Sequence, residues 1–327
     1  MSDAPSPPMS REAHRHVLMA AAGRGGELCS RGDSHIILCR PGARETGGTL
    51  IVTFDTLDAV RARPGGLPLS TGLAQREGWA TIDVMADGRT WFRDDYVHDF
   101  FDGLTDEGVF DDYDQVVFAG GGMGAYGAAA HSVAAPGATL FLVQPYATLD
   151  RDLTSWERRF RSSWSLPFGP RYGNAARMAD AARRVFVVTD PTQSADAMHA
   201  ALFSGAHVTH LRAHHAGHDI QGRLEAIDIL DTLLAAAGRG DLTPARFAAL
   251  WRARRDDPEW LAGLLRHVEK LDRPWLQAIA AGYITDRTGS AVARRRLNAA
   301  LARLDEEDRD APAGLEPQPV SARLAGA

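Results

Sequence analysis

Cysteine is nearly absent from this chain: Cys29 and Cys39 are the only two thiols among 327 residues. That number is too small for a secreted disulfide framework, and the spacing fits neither a zinc site nor a thioredoxin-like motif. The expectation is a loop thiol at 29 and a strand-packing thiol at 39. Long apolar runs are missing as well. Nothing approaches the roughly 18 residues that a membrane span requires, and the N-terminus offers only Val17 to Ala22, preceded by Asp3, three prolines and Glu12. Charge of one sign is not in large excess, with 36 Lys plus Arg against 42 Asp plus Glu and a net charge of −6. A mildly acidic, mixed surface argues against nucleic acid or anionic membrane as partner and leaves a small-molecule ligand or a protein. A soluble, cytoplasmic protein is expected.

What is present is a regular succession of short β-branched runs: His35 to Cys39, Thr49 to Phe54, Trp79 to Val84, Gln115 to Ala119, Thr139 to Val143, Arg184 to Thr189 and His207 to Leu211. Several are apolar almost throughout, which suits strands buried on both faces of a mostly parallel sheet. Helical patterns over Phe92 to Leu104, Met123 to Val133, Asn174 to Ala182, Ala195 to Phe203 and Gln221 to Ala237 alternate with them. This alternation predicts an α/β fold, doubly wound with right-handed crossovers. Residues 1–13 read as a tail, 14–240 as the α/β domain, 241–307 as a helical extension and 308–327 as a second tail. Within the domain, 150–182 lacks clean periodicity and predicts a lid. In the extension Trp251, Trp260, Leu265, Val268, Trp275, Ile279 and Tyr283 fall at helical spacings, so their side chains are expected to be buried.

The most informative stretch runs from Asp114 to His131: an apolar strand ends in Gly120, Gly121 and Gly122, then turns at once into the alanine-rich helix that starts at Met123. In a Gly-x-nucleophile-x-Gly turn, the middle residue is held in a strained backbone conformation at the tip of the sheet, with the first helix amides behind it. Gly120 and Gly124 are the outer glycines here, and the middle position is Gly122.

This turn resembles the nucleophile elbow of the α/β-hydrolase superfamily, and the resemblance covers roughly residues 30 to 238. Met123, Gly124 and Tyr126 match; the serine is replaced by Gly122, and the second family glycine by Ala125. The resemblance implies an α/β-hydrolase type of sheet and a triad in chain order nucleophile, acid, histidine. The acid belongs after a late strand, where Asp190 follows Arg184 to Thr189, with Asp196 as the alternative because it reads as a first-turn helix acid. The histidine belongs in the loop after the last strand, where Gly217-His218-Asp219 places His218. The oxyanion donors would be the Met123 amide and one amide between Asp55 and Leu57.

Without an oxygen or sulfur at 122 no acyl-enzyme forms there. The expected function is therefore that of a non-classical or inactive hydrolase acting in ligand or partner binding. The alternative is a slow hydrolase of small esters or acyl groups, using a water activated by His218 and oriented by Asp190. Ser132, Ser162, Ser163 and Ser165 are poor substitutes, since nucleophiles need rigid placement beside the base. No cofactor and no metal are expected. Gly122-x-Gly124-x-x-Gly127 matches a dinucleotide fingerprint, yet the next strand ends at Gln144-Pro145 without the ribose-binding acid. The histidines between 207 and 218 lose their four-residue spacing to a strand and to Gly217. Sulfate-reduction chemistry would need a reactive cysteine near the C-terminus, and both thiols lie within the first forty residues. Trp91 and Phe92, after the third strand, pack against the elbow or line its entrance.

Overall fold

The computed structural model describes residues 9–31, 34–44, 47–169 and 171–318. The tail expectations for 1–8 and 319–327 lie outside the described residues. The chain divides into two compact units, one of Met1–His214 with His218–Ala249 and one of His215–Gly217 with Leu250–Ala327. In chain order the first unit holds α1 (Arg11–Ala22), β1 (Glu27–Arg31), β2 (His35–Arg40), β3 (Thr49–Thr56), α2 (Leu57–Ala62), α3 (Ser70–Glu77), β4 (Ala80–Ala86) and α4 (Asp95–Asp106). It continues with β5 (Gln115–Gly121), α5 (Met123–His131), β6 (Thr139–Val143), α6 (Ala175–Met178), β7 (Arg184–Thr189), α7 (Ser194–Ala201), β8 (Val208–Arg212), α8 (Ile220–Ala226) and α9 (Leu230–Gly238). After α10 (Pro244–Leu250), the second unit holds α11 (Pro258–Glu269), α12 (Pro274–Thr288) and α13 (Ala291–Glu306).

The strands form one sheet in the order β1-β2-β4-β3-β5-β6-β7-β8. β1 and β2 are antiparallel, as are β2 and β4, and every later pairing is parallel. This is the mostly parallel sheet that the apolar runs imply, and β4 and β6 are buried along their whole length. The register brings Phe54 opposite Gly120, Gly121 opposite Val143 and Val143 opposite Val188. The carboxyl ends of β3, β5, β6 and β7 therefore finish side by side, the position at which open α/β sheets bind ligands.

Close approach of α5 to the sheet depends on glycine. A Cβ on Gly124 would lie 2.1 Å from the Phe54 carbonyl oxygen, and one on Gly120 would lie 2.5 Å from the Gly124 carbonyl. A Cβ on Gly127 would meet the rings of Phe54 and Phe92 at 2.6 Å. Those rings are packed edge to face at 5.0 Å, and Phe54 also stacks on Phe101 at 5.6 Å. Trp91 and Phe92, both at positive φ, are buried in this core. The Trp91 ring contacts those of Tyr126, Tyr146, Phe160 and Phe168, so packing is its main role.

The structure departs from the sequence reading in several places. Helix α1 begins at Arg11, inside the expected tail, because Ser10 caps the Ala13 amide and Leu18 is fully buried. Cys29 lies in β1, an edge strand whose polar residues hid it, rather than in a loop. The Gln221 to Ala237 helix is two helices, separated where Asp228 adopts φ 56°. In the second unit Trp251, Trp260, Leu265 and Val268 are buried, but Trp275, Ile279 and Tyr283 are exposed along one face of α12. Residues 309–318 carry no helix or strand, yet Asn298 and Gln318 exchange two hydrogen bonds of 2.7 and 2.8 Å.

Two glycine substitutions separate these roles. Gly124→Ala is expected to cost about 3 kcal/mol by forcing α5 off β3. Gly103→Ala, in α4 with nothing within 4 Å of the new methyl, is expected to stabilise by about 0.5 to 1 kcal/mol. Urea midpoints of the two variants against the parent check both signs.

Candidate functional site at the strand ends

Gly122 sits between β5 and α5 with φ 55° and ψ −117°, a conformation that side-chain-bearing residues rarely adopt. Its amide donates to the Val143 carbonyl (2.9 Å), which ties the elbow to β6, and its own carbonyl accepts from Tyr126 at 3.2 Å. The nearest atom to a Cβ built at Gly122 is Tyr146 Cε2 at 3.8 Å. The turn is thus sharp and leaves room for a side chain at Gly122. Met123 opens α5, so its amide is one of the first-turn N–H groups that have no intrahelical acceptor.

A cavity of about 500 Å³ opens over the elbow, walled by Gly121, Gly122 and Met123, by Tyr146 and Gln144 after β6, and by His218. Across it lie the charges of Asp55, Arg63 and Glu225. Arg63 bridges the two carboxylates, at 2.5 Å to Asp55 and 3.2 Å to Glu225. Burial pushes the Asp55 carboxyl up, against the opposing pull of Arg63 and the Thr56 amide. That amide donates to Asp55 Oδ1 at 2.7 Å. Of the amides between Asp55 and Leu57, that of Thr56 is thus engaged by the chain's own carboxylate.

His218, in the loop after β8, lines the cavity with its side chain 75% exposed. Of the two candidate acids, Asp196 lies near it. His218 Nδ1 lies 3.9 Å from Asp196 Oδ2, beyond hydrogen-bond length. Asp190 is buried at the end of β7, where its carboxylate accepts from the Thr192 amide (3.0 Å) and hydroxyl (2.8 Å) and so shapes the turn into α7. Asp196 is a first-turn acid of α7, as its sequence position suggests. Of the alternative nucleophiles, Ser132 is buried and donates to the Ala129 carbonyl, while Ser163 accepts from Trp91 Nε1 at 2.9 Å.

Sequence reasoning missed the group behind Asp196. Residues 150–182 contain Glu157 and Arg159, and Arg159 reaches across to α7. Arg159 Nη1 pairs with Asp196 Oδ1 at 2.6 Å and Nη2 with Glu157 Oε2 at 2.6 Å. Gln144, at φ 53° after β6, donates to Asp196 Oδ2 at 2.7 Å. The Ala147 amide donates to His199 Nδ1 (3.3 Å), so the imidazole proton sits on Nε2 and is donated to Glu157 Oε2 at 3.1 Å. Glu157, Asp196 and His199 are each at most 1% exposed. Burial alone would raise the Glu157 carboxyl, but hydrogen bonds from His199 and Arg159 hold it at about 2. The partners stand 42 and 37 residues apart, so no local pattern could have revealed them.

No family model matches the chain, and no curated protein matches it in sequence. Among solved structures it is similar to carboxyl esterase 2 from the mycorrhizal fungus Tuber melanosporum, at 12% identity and a TM-score of 0.44, over 67% of this chain and 86% of that one. It is also similar to FphF, a fluorophosphonate-binding serine hydrolase of Staphylococcus aureus (11%, 0.42, 64% and 96%). The capsule O-acetyltransferase of Neisseria meningitidis serogroup A is a third (12%, 0.40, 64% and 95%). Likeness at this level carries no activity across. The strand order and the strained turn after β5 define this chain's own architecture: an α/β-hydrolase fold with additional helices at its C-terminal side.

The Glu157 contacts give a pH signature. Because its folded-state value lies below the ordinary 4.5, its contribution is complete above about pH 4.5 and is lost as pH falls toward about 2. The full contribution is roughly 3 kcal/mol. Denaturant titrations of the parent and Glu157→Gln should show a stability gap that is widest above pH 4.5 and narrows steadily below it. A gap constant across that window would refute the assignment.

Proposed function

We propose that this protein is a non-hydrolytic member of the α/β-hydrolase fold whose elbow cavity binds a small polar ligand without forming a covalent bond to it. The observation that carries this reading is Gly122: the elbow backbone is intact, yet no atom stands where the attacking oxygen would be. The Thr56 amide supports it, since an acyl-transfer site needs free donors where negative charge develops, and this one is taken by a carboxylate that lines the same cavity. The Asp55, Arg63 and Glu225 charges suit a polar ligand over a lipid or aliphatic ester.

The second reading, slow hydrolysis by a water that His218 deprotonates, is favoured by the 3.9 Å approach of His218 to a buried carboxylate. In that scheme Asp196 takes the orienting part first given to Asp190. Hydrolysis of p-nitrophenyl acetate by the parent, His218→Ala and Gly122→Ser separates the two. The binding reading expects parent and His218→Ala at the buffer rate. It also expects Gly122→Ser to fall about 100-fold or more short of a working serine esterase, because one oxyanion donor is engaged. Parent turnover that disappears in His218→Ala would overturn it. Thermal-shift measurements with small carboxylates, amines and phosphates should find stabilisation of the parent that Gly122→Asn, which projects a side chain into the cavity, weakens.

A further inference from the structure

The arrangement around Asp196 contains a competition. Its two carboxylate oxygens are both engaged, Oδ1 by Arg159 at 2.6 Å and Oδ2 by Gln144 at 2.7 Å. His218 Nδ1 stands 3.9 Å from Oδ2, and its side chain is left largely in solvent. The other nearby acid, Asp219, cannot substitute, because its carboxylate caps α8 by accepting from the Gly222 amide at 2.8 Å. Arg159 is the solvent-accessible member of the Arg159–Asp196 pair. It belongs to the connection between β6 and α6, its side chain is 34% exposed, and its guanidinium lies 5.5 Å from the Tyr146 ring centroid and 5.4 Å from that of Phe160. Tyr146 is also the nearest neighbour of the open position at Gly122. The same residue thus contacts the acid of the site and the wall of the cavity.

We infer that Arg159 is a positioning residue: by pairing with Asp196 it withholds that carboxylate from His218, and its withdrawal lets His218 dock on Asp196 at the cavity wall. A planar, permanently charged fork with two buried carboxylates outcompetes a single imidazole nitrogen. When the fork leaves, Oδ1 of the buried carboxylate loses its donor while Gln144 keeps Oδ2, and the imidazole, 3.9 Å from Oδ2, is within reach to restore a second donor to the group. Whatever displaces Arg159, whether movement of its segment or a ligand anion that recruits the guanidinium, would convert His218 from a loose side chain into a fixed wall of the cavity. The inference depends on the proposed ligand reading only for what the cavity holds. The Asp196 competition itself is tested without ligand.

The test uses the full chain. Removing Arg159 alone would strand two buried carboxylates, so the variant is Arg159→Met with Glu157→Gln, which removes one charge of each sign and keeps the apolar stem against Tyr146 and Phe160. Two readouts report on His218: the proton spectrum in water, for a hydrogen-bonded imidazole N–H, and the rate of carbethoxylation by diethylpyrocarbonate, mapped by mass spectrometry. The expected result is a downfield N–H resonance that the parent and Glu157→Gln lack, together with modification of His218 slowed about tenfold or more. Adding His218→Gln or Asp196→Asn to the variant should abolish the resonance. A variant that folds but reads like the parent overturns the inference, as does a resonance that survives Asp196→Asn. Should the double variant not fold, Arg159→Lys keeps the charge but not the fork and should give a weaker version of the same changes; parent-like behaviour there is equally fatal.

Discussion

Backbone-to-backbone contact between α5 and the sheet is the constraint on which everything else in the first unit depends. Carbon atoms on Gly120, Gly124 or Gly127 would occupy space already filled by the Phe54 carbonyl, by α5's own backbone or by the Phe54 and Phe92 rings. With those glycines in place the helix axis can lie against β3 and β5, which forces the turn at Gly122 to be sharp and its φ to be positive. The turn in turn fixes where the α5 amides point and where the β3 and β6 termini can bring Asp55, Gln144 and Tyr146. A wider helix-to-sheet spacing would relax Gly122 and dissolve the cavity together.

The electrostatics of the site are organised in two arginine-centred clusters. In one, Arg63 joins β3 to α8 through Asp55 and Glu225. In the other, Arg159 joins the segment after β6 to α7 through Glu157 and Asp196. Each arginine neutralises two carboxylates in a setting where single buried anions would be costly. Asp196 belongs to the Arg159 cluster, and His218 stands 3.9 Å from it with its side chain largely exposed. That placement explains how a histidine loop of familiar sequence can be present without a tight histidine–acid bond.

Much of this architecture was legible in the chain itself. The seven β-branched runs all became strands: β3 to β7 are read from apolar continuity, which needs no partner, whereas antiparallel β2 and the half-exposed edge strand β8 are read from their β-branched content. β1 escaped because Glu-Leu-Cys-Ser-Arg at an edge has neither continuity nor alternation. Short helices α2 and α3 escaped because six and eight residues hold too little periodicity to stand out from a loop. The site divided in the same manner: Gly122, Met123 and His218 stand in contiguous motifs, whereas the surroundings of Asp196 depend on where Arg159 reaches and could not be read locally. The α12 face failed for a different reason. Helical spacing identifies a stripe, and Trp275, Ile279 and Tyr283 do form one, but α12 has a second apolar face that is the buried one.

The carboxylate of Asp55 on the Thr56 amide bears on how such a protein could change over generations. A hydroxyl introduced at position 122 would share its cavity with the Asp55 carboxylate, and replacing Asp55 would leave Arg63 paired with Glu225. The residue at the turn and the charges of the cavity wall are therefore coupled, and a substitution at either one alone changes the surroundings of the other.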